Sequence, residues 1–319
     1  MMKGSGKIFL LRLIDGENDL MKKLISYGGL LCGVLALSTS GIFVKLAEAP
    51  SAITAFYRLL FALLILIPFV LLSRERRAEL LTLPLKNRVL SVLSGVLLAI
   101  HYILWFESLR HTSLASSTVL VTLQPVFTIL FSFLFLRERQ TKIGMTGCLV
   151  ALVGSFIIGY GDFRTGTEAL MGDLMALLAA ALISMYFFIG QQLRKDTSAT
   201  VYSVLGYSGS VVFLAVYALL RQEPFFGYEL PVWQCFLGLG LVSTVLGQFV
   251  FNLLLKWLPA TTISMSILGE PVGTCILGYF ILQETIGFRQ GLGMLVILGG
   301  LRVYFLAEPL GRMFHRKQA

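Results

Sequence analysis

The feature that most constrains this chain is a series of apolar runs, each close to twenty residues long, that fill nearly all of it. They fall at roughly 25–46, 51–72, 89–109, 115–136, 142–160, 170–193, 199–220, 231–255, 260–283 and 286–308. About twenty helical residues cross a hydrocarbon layer about 30 Å thick. Lipid offers the backbone no hydrogen-bond partner, so each run must satisfy its own N–H and C=O groups, as a helix does. Only 13% of the residues are charged, roughly half the share of a soluble domain, which is too little to coat a surface in water.

The net charge of +9 does not point to nucleic acid, because the basic residues lie in short clusters between the runs and not along one face. With the N-terminus inside, Lys45, Arg110, Arg164, Arg221 and Arg289 lie on outer connections and Arg58 and Arg302 within spans. The rest of the 26 Lys and Arg lie on inner connections and tails. This bias predicts a multi-pass protein of the plasma (cytoplasmic) membrane with both termini in the cytoplasm. Cys32, Cys148, Cys235 and Cys275 all lie inside runs without ligand spacing, so they read as small apolar residues. Met21-Lys22-Lys23 offers an alternative start. The basic opening with Ala47-Glu48-Ala49 also resembles a secretory signal, but the first run is too long for one and the repeat described next needs it.

A single offset of 146 residues lays Pro125 on Pro271, Glu138 on Glu284, Gly147 on Gly293 and Gly154 on Gly300, with Gln124 falling on Glu270. Five spans per half is an odd number, so the second copy must enter the membrane inverted. Inverted repeats point toward alternating-access transport. The predicted fold is an all-α polytopic membrane protein, ten transmembrane helices in two inverted five-helix repeats. Residues 1–24 form a tail, 25–160 the first repeat, 161–308 the second and 309–319 a second tail.

The stretch FESLRHTSLASSTVLVTLQPVFTILFSFLFLRERQTKIGMTGCLVALVGSFII, from Phe106 to Ile158, resembles the EamA repeat of the drug/metabolite transporter superfamily. Its second copy reads FNLLLKWLPATTISMSILGEPVGTCILGYFILQETIGFRQGLGMLVILGG. Both show a small-residue-rich helix start, a mid-helix proline, a closing Glu and a glycine-spaced last helix. The resemblance implies ten spans, cytoplasmic termini, and efflux or exchange of small metabolites. It does not name the cargo.

Glu270 stands near the middle of span nine in Leu268-Gly269-Glu270-Pro271. Mid-membrane carboxylates are costly and usually functional. Pro271 has no N–H and clashes with the Ile267 carbonyl, which opens polar backbone beside Glu270. Such a carboxyl can exchange a proton or bind an amine; the plainer reading is a protonated side chain that bonds a neighbouring helix. The equivalent Gln124, before Pro125, cannot titrate.

Thr244, Gln248 and Asn252 are spaced by four on span eight and predict one polar helical face. Ser94, His101 and Trp105 form a similar stripe on span three, near Tyr102 and Glu107, and Thr200, Ser203, Tyr207 and Ser210 do so on span seven. These stripes either line a cavity or bond helix to helix; His101 reads best as a packed, singly hydrogen-bonded imidazole. Spans one and six, repeat partners, carry Ser38-Thr39-Ser40-Gly41 and Ser184, Tyr186 and Gln191, which read as packing. Arg58 must find an anion, a carbonyl or the interface, and three readings stand: an anion site, a gate, or snorkelling. The EamA pattern often has an Arg in this span. Arg302 reads as snorkelling, and Glu138 and Glu284 as architectural.

Gly159-Tyr160-Gly161-Asp162 matches the GxGD string of intramembrane aspartyl proteases, but no earlier span holds a second Asp. HExxH, GxSxG and phosphate-loop motifs are absent, so neither an enzyme nor a cofactor is expected. The expected function is a secondary transporter that exports a small metabolite, such as an amino acid or related amine, with protons as the coupling ion. A phosphate-bearing cargo would need more basic residues within the spans. The competing classes are a membrane enzyme or lipid carrier using His101, Glu107 and Glu270, and a partner protein without flux. Membrane lipid is the solvent; the Gly269–Gly273 GxxxG is poor support for a dimer.

Overall fold

The computed structural model describes residues 24–112, 114–137, 140–159, 166–281, 283 and 286–307, and the regular elements among them are all helices. Glu138, Arg139, Glu284 and the Tyr160–Asp162 string lie outside the described residues, as do both predicted tails save Leu24. Among the described residues, nine helices are long and apolar enough to cross a membrane. They are Leu24–Ala47, Ser51–Leu71, Leu85–His111, Ser117–Leu136, Thr167–Leu193, Ala199–Leu220, Leu230–Leu254, Ala260–Ile281 and Phe288–Ala307, and a shorter apolar helix, Lys142–Ile158, takes the place of span five. The protein is a polytopic all-α membrane protein. A short helix, Arg74–Thr82, joins spans two and three with no residue buried, and the Ser73 side chain caps it by accepting from Arg76 N.

The usual order of inside and outside is reversed, as lipid demands. Large apolar side chains such as Leu64, Phe69, Phe135, Leu178 and Leu295 face outward, while Arg58, Asn252, Gln248 and many Ser and Thr are buried.

The two prolines break their helices at matching points. Span four is split into Leu114–Val121 and Gln124–Leu136, and span nine into Ala260–Ile267 and Glu270–Ile281. Each proline stands in the first turn of the second half, where its missing N–H loses no bond. Each chain restarts with the same turn: Val126 N donates to Leu123 O at 2.9 Å and Val272 N to Gly269 O at 3.1 Å. The serines predicted as packing hold these breaks. Ser38 Oγ lies 2.8 Å from Val34 O and 3.2 Å from Glu270 O. Ser184 Oγ lies 2.7 Å from Ala180 O and 2.8 Å from Gln124 O. All four pairs of atoms are related by the offset found in the sequence. Span one is interrupted at Thr39, whose hydroxyl takes the Ala36 carbonyl at 2.7 Å, whereas span six runs unbroken through Ser184.

Spans five and ten form the most extensive helix pair, and they meet through the repeat glycines. A Cβ on Gly147 would stand 2.6 Å from Tyr304 N, and one on Gly154 2.6 Å from Ile297 N. The inverted partners behave alike, with Gly293 against Ile158 and Gly300 against Ala151. The contacts therefore interchange under the offset, as they must around a two-fold axis between inverted halves. Gly273 is likewise pressed on Ser38, so the GxxxG of span nine serves contact within the chain.

One element differs from expectation. Span eight is not a plain α-helix, because Leu239–Gln248 winds as a π-helix. Thr244 Oγ1 donates to Leu239 O, five residues back, at 2.8 Å. That hydroxyl competes with the α-helical ladder for the carbonyl, and it also receives a bond from a neighbouring span, described below.

Replacing Gly154 by Leu should drive spans five and ten apart. Overpacking of this kind costs on the order of 1–3 kcal/mol, so thermal unfolding in detergent, followed by labelling of the buried Cys148, should shift down by several degrees. An unchanged midpoint would contradict the pairing.

Candidate functional site

Among the described residues, Arg58 is the most buried charged side chain, with 0% of its surface exposed. It does not snorkel. Its Nε donates to Thr244 Oγ1 at 3.0 Å and its Nη1 to Ser40 Oγ at 2.6 Å. Its Cζ lies 4.2 Å from the centre of the Tyr102 ring, a contact that suits a guanidinium withdrawn from water. Nη2 has no partner.

The π-helical turn of span eight aims its polar residues inward. Thr244, Gln248 and Asn252 are all buried. Asn252 Nδ2 donates to Tyr186 OH at 2.6 Å and to Ser203 Oγ at 3.0 Å, while its Oδ1 and the Gln248 Nε2 are left unpaired. Tyr207, one turn along span seven from Ser203, is buried; its hydroxyl approaches Ser203 but makes no well-formed hydrogen bond. Ser94 belongs to packing, since its hydroxyl is held by Ser91 O at 2.8 Å and meets Tyr202 OH at 3.1 Å.

On span three, His101 Nδ1 meets Ala179 O at 2.9 Å, the single bond expected of a packed imidazole, and its ring stacks toward Trp105 with centroids 6.0 Å apart. Trp105 Nε1 and Tyr102 OH are buried without partners, as is Gln124 Oε1. Glu270 is only part buried. Its backbone carbonyl is used by Ser38, but no described group hydrogen-bonds its carboxyl, so the packing reading of this side chain finds no partner. Glu270 interacts electrostatically with Arg58 and Tyr102, and Arg58 in turn with His101 and Tyr207. Of the sequence-derived candidates, Arg58, His101, Trp105, Tyr207 and Glu270 are thus brought together in the interior, Gln124 stands at the break before Pro125, Gln248 is buried on span eight, and Asn252 lies further along that span against Tyr186 and Ser203. Tyr186, Tyr202 and Ser40 join them. Arg302 is exposed. Glu107 lies away from the region, with its carboxylate 3.8 Å from Arg110.

The two membrane faces differ. On the face carrying the connections 48–50 and 221–229, a cavity of about 490 Å³ is lined by Gly41, Lys45, Glu48, Thr54, Phe106 and Arg110, among others. One turn further in from Thr54 is Arg58, and one turn in from Phe106 is Tyr102, the two rings stacked with centroids 5.6 Å apart. On the loop of this face, burial and the neighbouring Glu107 raise the Glu223 carboxyl above its usual range, against Arg221 and Arg110.

Applying the repeat offset to Lys45, Glu48, Thr54 and Phe106 gives Gln191, Arg194, Thr200 and Asn252 on the opposite face. All four are buried; of the cavity residues they correspond to, Lys45 and Glu48 are exposed, while Thr54 and Phe106 are buried as well. Gln191 Oε1 accepts from Ala260 N at 2.6 Å. Arg194 Nε donates to Asn252 O at 2.8 Å and Nη1 to Thr197 O, and Glu79 Oε1 of the short surface helix accepts from Ser198 N at 2.5 Å. What is an open cavity on one face is a packed latch on the other. Arg194 was counted from the sequence only as one of the topology-setting basic residues. Its burial has no local signal, beyond its place at the offset from Glu48.

The EamA-like transporter family model matches residues 24–160 and again 170–306. The chain belongs to the EamA-like transporter family. Curated relatives include an uncharacterized transporter of Bacillus subtilis strain 168, YdfC, 25% identical over 89% of this chain and 92% of that protein. A transporter of Archaeoglobus fulgidus is 24% identical over 86% of this chain and 94% of its own length. Mouse solute carrier family 35 member G1 is 28% identical over 63% of this chain and 59% of that protein. A crystal structure has the same fold, with a TM-score of 0.73 over 90% of this chain and 98% of that chain at 20% identity.

Thr244→Val keeps the side-chain volume and removes both the acceptor for Arg58 Nε and the bond to Leu239 O. Leaving a buried charged donor unpaired costs about 1–3 kcal/mol or more, so this EamA transporter should lose several degrees of thermal midpoint in detergent, while Thr244→Ser should lose little. Equal midpoints for wild type and Thr244→Val would contradict the role given to this bond.

Proposed function

We propose that this transporter exports a small polar or amphipathic metabolite, such as an amino acid or related amine, by alternating access at the region between Arg58 and Glu270. The observation that carries the reading is a set of buried polar groups left unpaired between two inverted halves. Arg58 Nη2, Trp105 Nε1, Gln248 Nε2, Gln124 Oε1 and Asn252 Oδ1 each lack a partner, and buried polar groups are otherwise almost always paired. A cargo with hydroxyl, amino or carboxyl groups would satisfy them.

The open cavity on one face and the latch at its symmetry-related place on the other support a rocking exchange. In the alternate state the first face would close around Glu48 and Phe106, and the second would open around Arg194 and Asn252. With the N-terminus placed in the cytoplasm, the open face is the outer one. Outward transport across the plasma membrane rests on the family resemblance, and Glu270, whose carboxyl has no hydrogen-bond partner among the described residues, is the group proposed to carry a coupling proton.

The purified protein in proteoliposomes should catalyse counterflow of at least one labelled small metabolite, and an imposed proton gradient should drive its accumulation. Glu270→Gln should lower the rate and flatten its dependence on pH; an unchanged rate and pH profile would remove Glu270 from the coupling step. Arg194→Ala should release the second face, so that a cysteine placed at Ser203 reacts faster with a membrane-impermeant thiol reagent added from that side. No change in labelling would contradict the latch.

A further inference from the structure

We propose that anionic phospholipid headgroups of the cytoplasmic leaflet dock on the short surface helix Arg74–Thr82 and the start of span three, and that by seating this helix they hold the latched face closed. The site lies at the membrane surface, away from the polar interior.

Span two ends at Leu71 and span three begins at Leu85. The connection carries Arg74, Arg76 and Arg77, and the first turn of span three carries Lys86 and Arg88, against two carboxylates, Glu75 and Glu79. With the N-terminus placed in the cytoplasm this is an inner connection. A topology signal needs only the number of such charges, but here the helix also sorts them. Arg74, Arg77, Ala78 and Leu81 follow the i, i+3, i+4, i+7 spacing of one helical face, and all four are exposed. Arg76, Glu79 and Leu80 share the opposite face and are half-buried. Arg76 Nη1 turns back to Phe69 O at 3.2 Å, and Leu80 packs on the core.

The exposed face is both basic and apolar. Leu81 is 75% exposed, and Leu72 and Leu85 on either side of the helix are 83% and 74% exposed. Leucines this bare beside arginines suit the membrane boundary, where the leucine enters the acyl region and the guanidinium stays among the headgroups.

Arg88 points to an anion. Its Nη2 donates to Leu81 O at 2.5 Å, which brings its guanidinium to the end of the surface helix. Its Nε is buried with no acceptor. Arg74, Arg77, Lys86 and Arg88 form no ion pair within 4 Å among the described residues. A phosphodiester supplies acceptor oxygens for such an N–H and a charge to answer the guanidinium groups. Basic clusters directly beyond the cytoplasmic end of a span attract anionic lipid in this way.

Glu79 links this surface to the latch. Its Oε1 accepts from Ser198 N at 2.5 Å, and Ser198 caps span seven by accepting from Val201 N at 3.3 Å. The same carboxylate interacts electrostatically with Arg194, whose Nε holds Asn252 O. One face of the helix therefore meets the lipid and the opposite face braces the latch. Headgroups that fix the first keep Glu79 on Ser198.

The docking is tested by native mass spectrometry of the full chain, released from detergent with equimolar phosphatidylglycerol and phosphatidylcholine of matched acyl chains. Wild type should retain phosphatidylglycerol with a preference of about tenfold or more, since each basic side chain near an anionic surface strengthens the attraction about fivefold. The triple variant Arg74→Gln/Arg77→Gln/Arg88→Gln should bring the two lipids to within about twofold. Lysines at the same three positions should keep most of the preference, and Arg137→Gln/Lys142→Gln, on another connection of the same face, should leave it intact. The hold on the latch is read from the cysteine placed at Ser203 in proteoliposomes. Its labelling from the latched side should be several-fold slower in phosphatidylglycerol-rich membranes than in phosphatidylcholine alone. Glu79→Gln should remove that difference and keep the lipid preference. Equal retention of the two lipids by wild type, or a preference lost as fully in Arg137→Gln/Lys142→Gln as in the triple variant, would overturn the docking site. Wild-type labelling indifferent to lipid would overturn its hold on the latch.

Discussion

A guanidinium withdrawn from solvent has to be answered by its surroundings, and much of this interior follows from Arg58. The π-helical turn of span eight brings Thr244 to its Nε, the interruption of span one brings Ser40 to its Nη1, and the face of Tyr102 supports it from below. Desolvating a charge costs several kcal/mol even after the protein relaxes, and three neutral contacts do not cancel that. Glu270 is the acidic group that interacts with it across the site. The irregular segments of spans one, four, eight and nine all meet there, which is where a membrane protein can tolerate broken helices, since they line a polar interior instead of facing lipid.

The two halves contribute symmetrically to architecture and unequally to chemistry. Serine clips at Ser38 and Ser184, glycine contacts between spans five and ten, and restart turns after Pro125 and Pro271 all interchange under one offset. The charges do not. Nor do the two faces: Lys45 and Glu48 are exposed at the rim of a cavity, while their counterparts Gln191 and Arg194 are buried and hydrogen-bonded. Related segments of different sequence thus take different packings at equivalent places, which is the asymmetry that the proposed rocking exchange would interchange.

The ten apolar segments, their all-helical nature and the inverted pairing were legible because lipid forces length and backbone closure onto every span, and because Pro125 and Pro271 with the four glycines repeat at one spacing. The convergence of Glu270, Gln248, Asn252 and Arg58 was legible in outline, since polar side chains inside spans must face one another. Their partners were not. Nothing local says that Arg58 selects Ser40 and Thr244, because that depends on a π-helical turn whose hydrogen bonds are decided by tertiary contact. The burial of Arg194 was not legible: a basic residue after a span reads only as a topology marker, and here it also caps the carbonyl of Asn252. Tyr102 was placed near the polar stripe of span three but its role under Arg58 was not, and Tyr202 gave no signal, because a tyrosine that packs and one that holds a charge look alike in sequence.

The central claim is that the two faces open and close reciprocally around a site between the halves. It is tested most directly by spin-label distances in lipid nanodiscs, with one pair at Lys45 and Arg110 across the open cavity and another at Lys195 and Lys256 across the latched face. The account predicts two populations for each pair. A saturating transported metabolite should shift their proportions, the long distance on one face growing as that on the other declines. A single fixed distance for each pair, or distances that lengthen together on both faces, would contradict it.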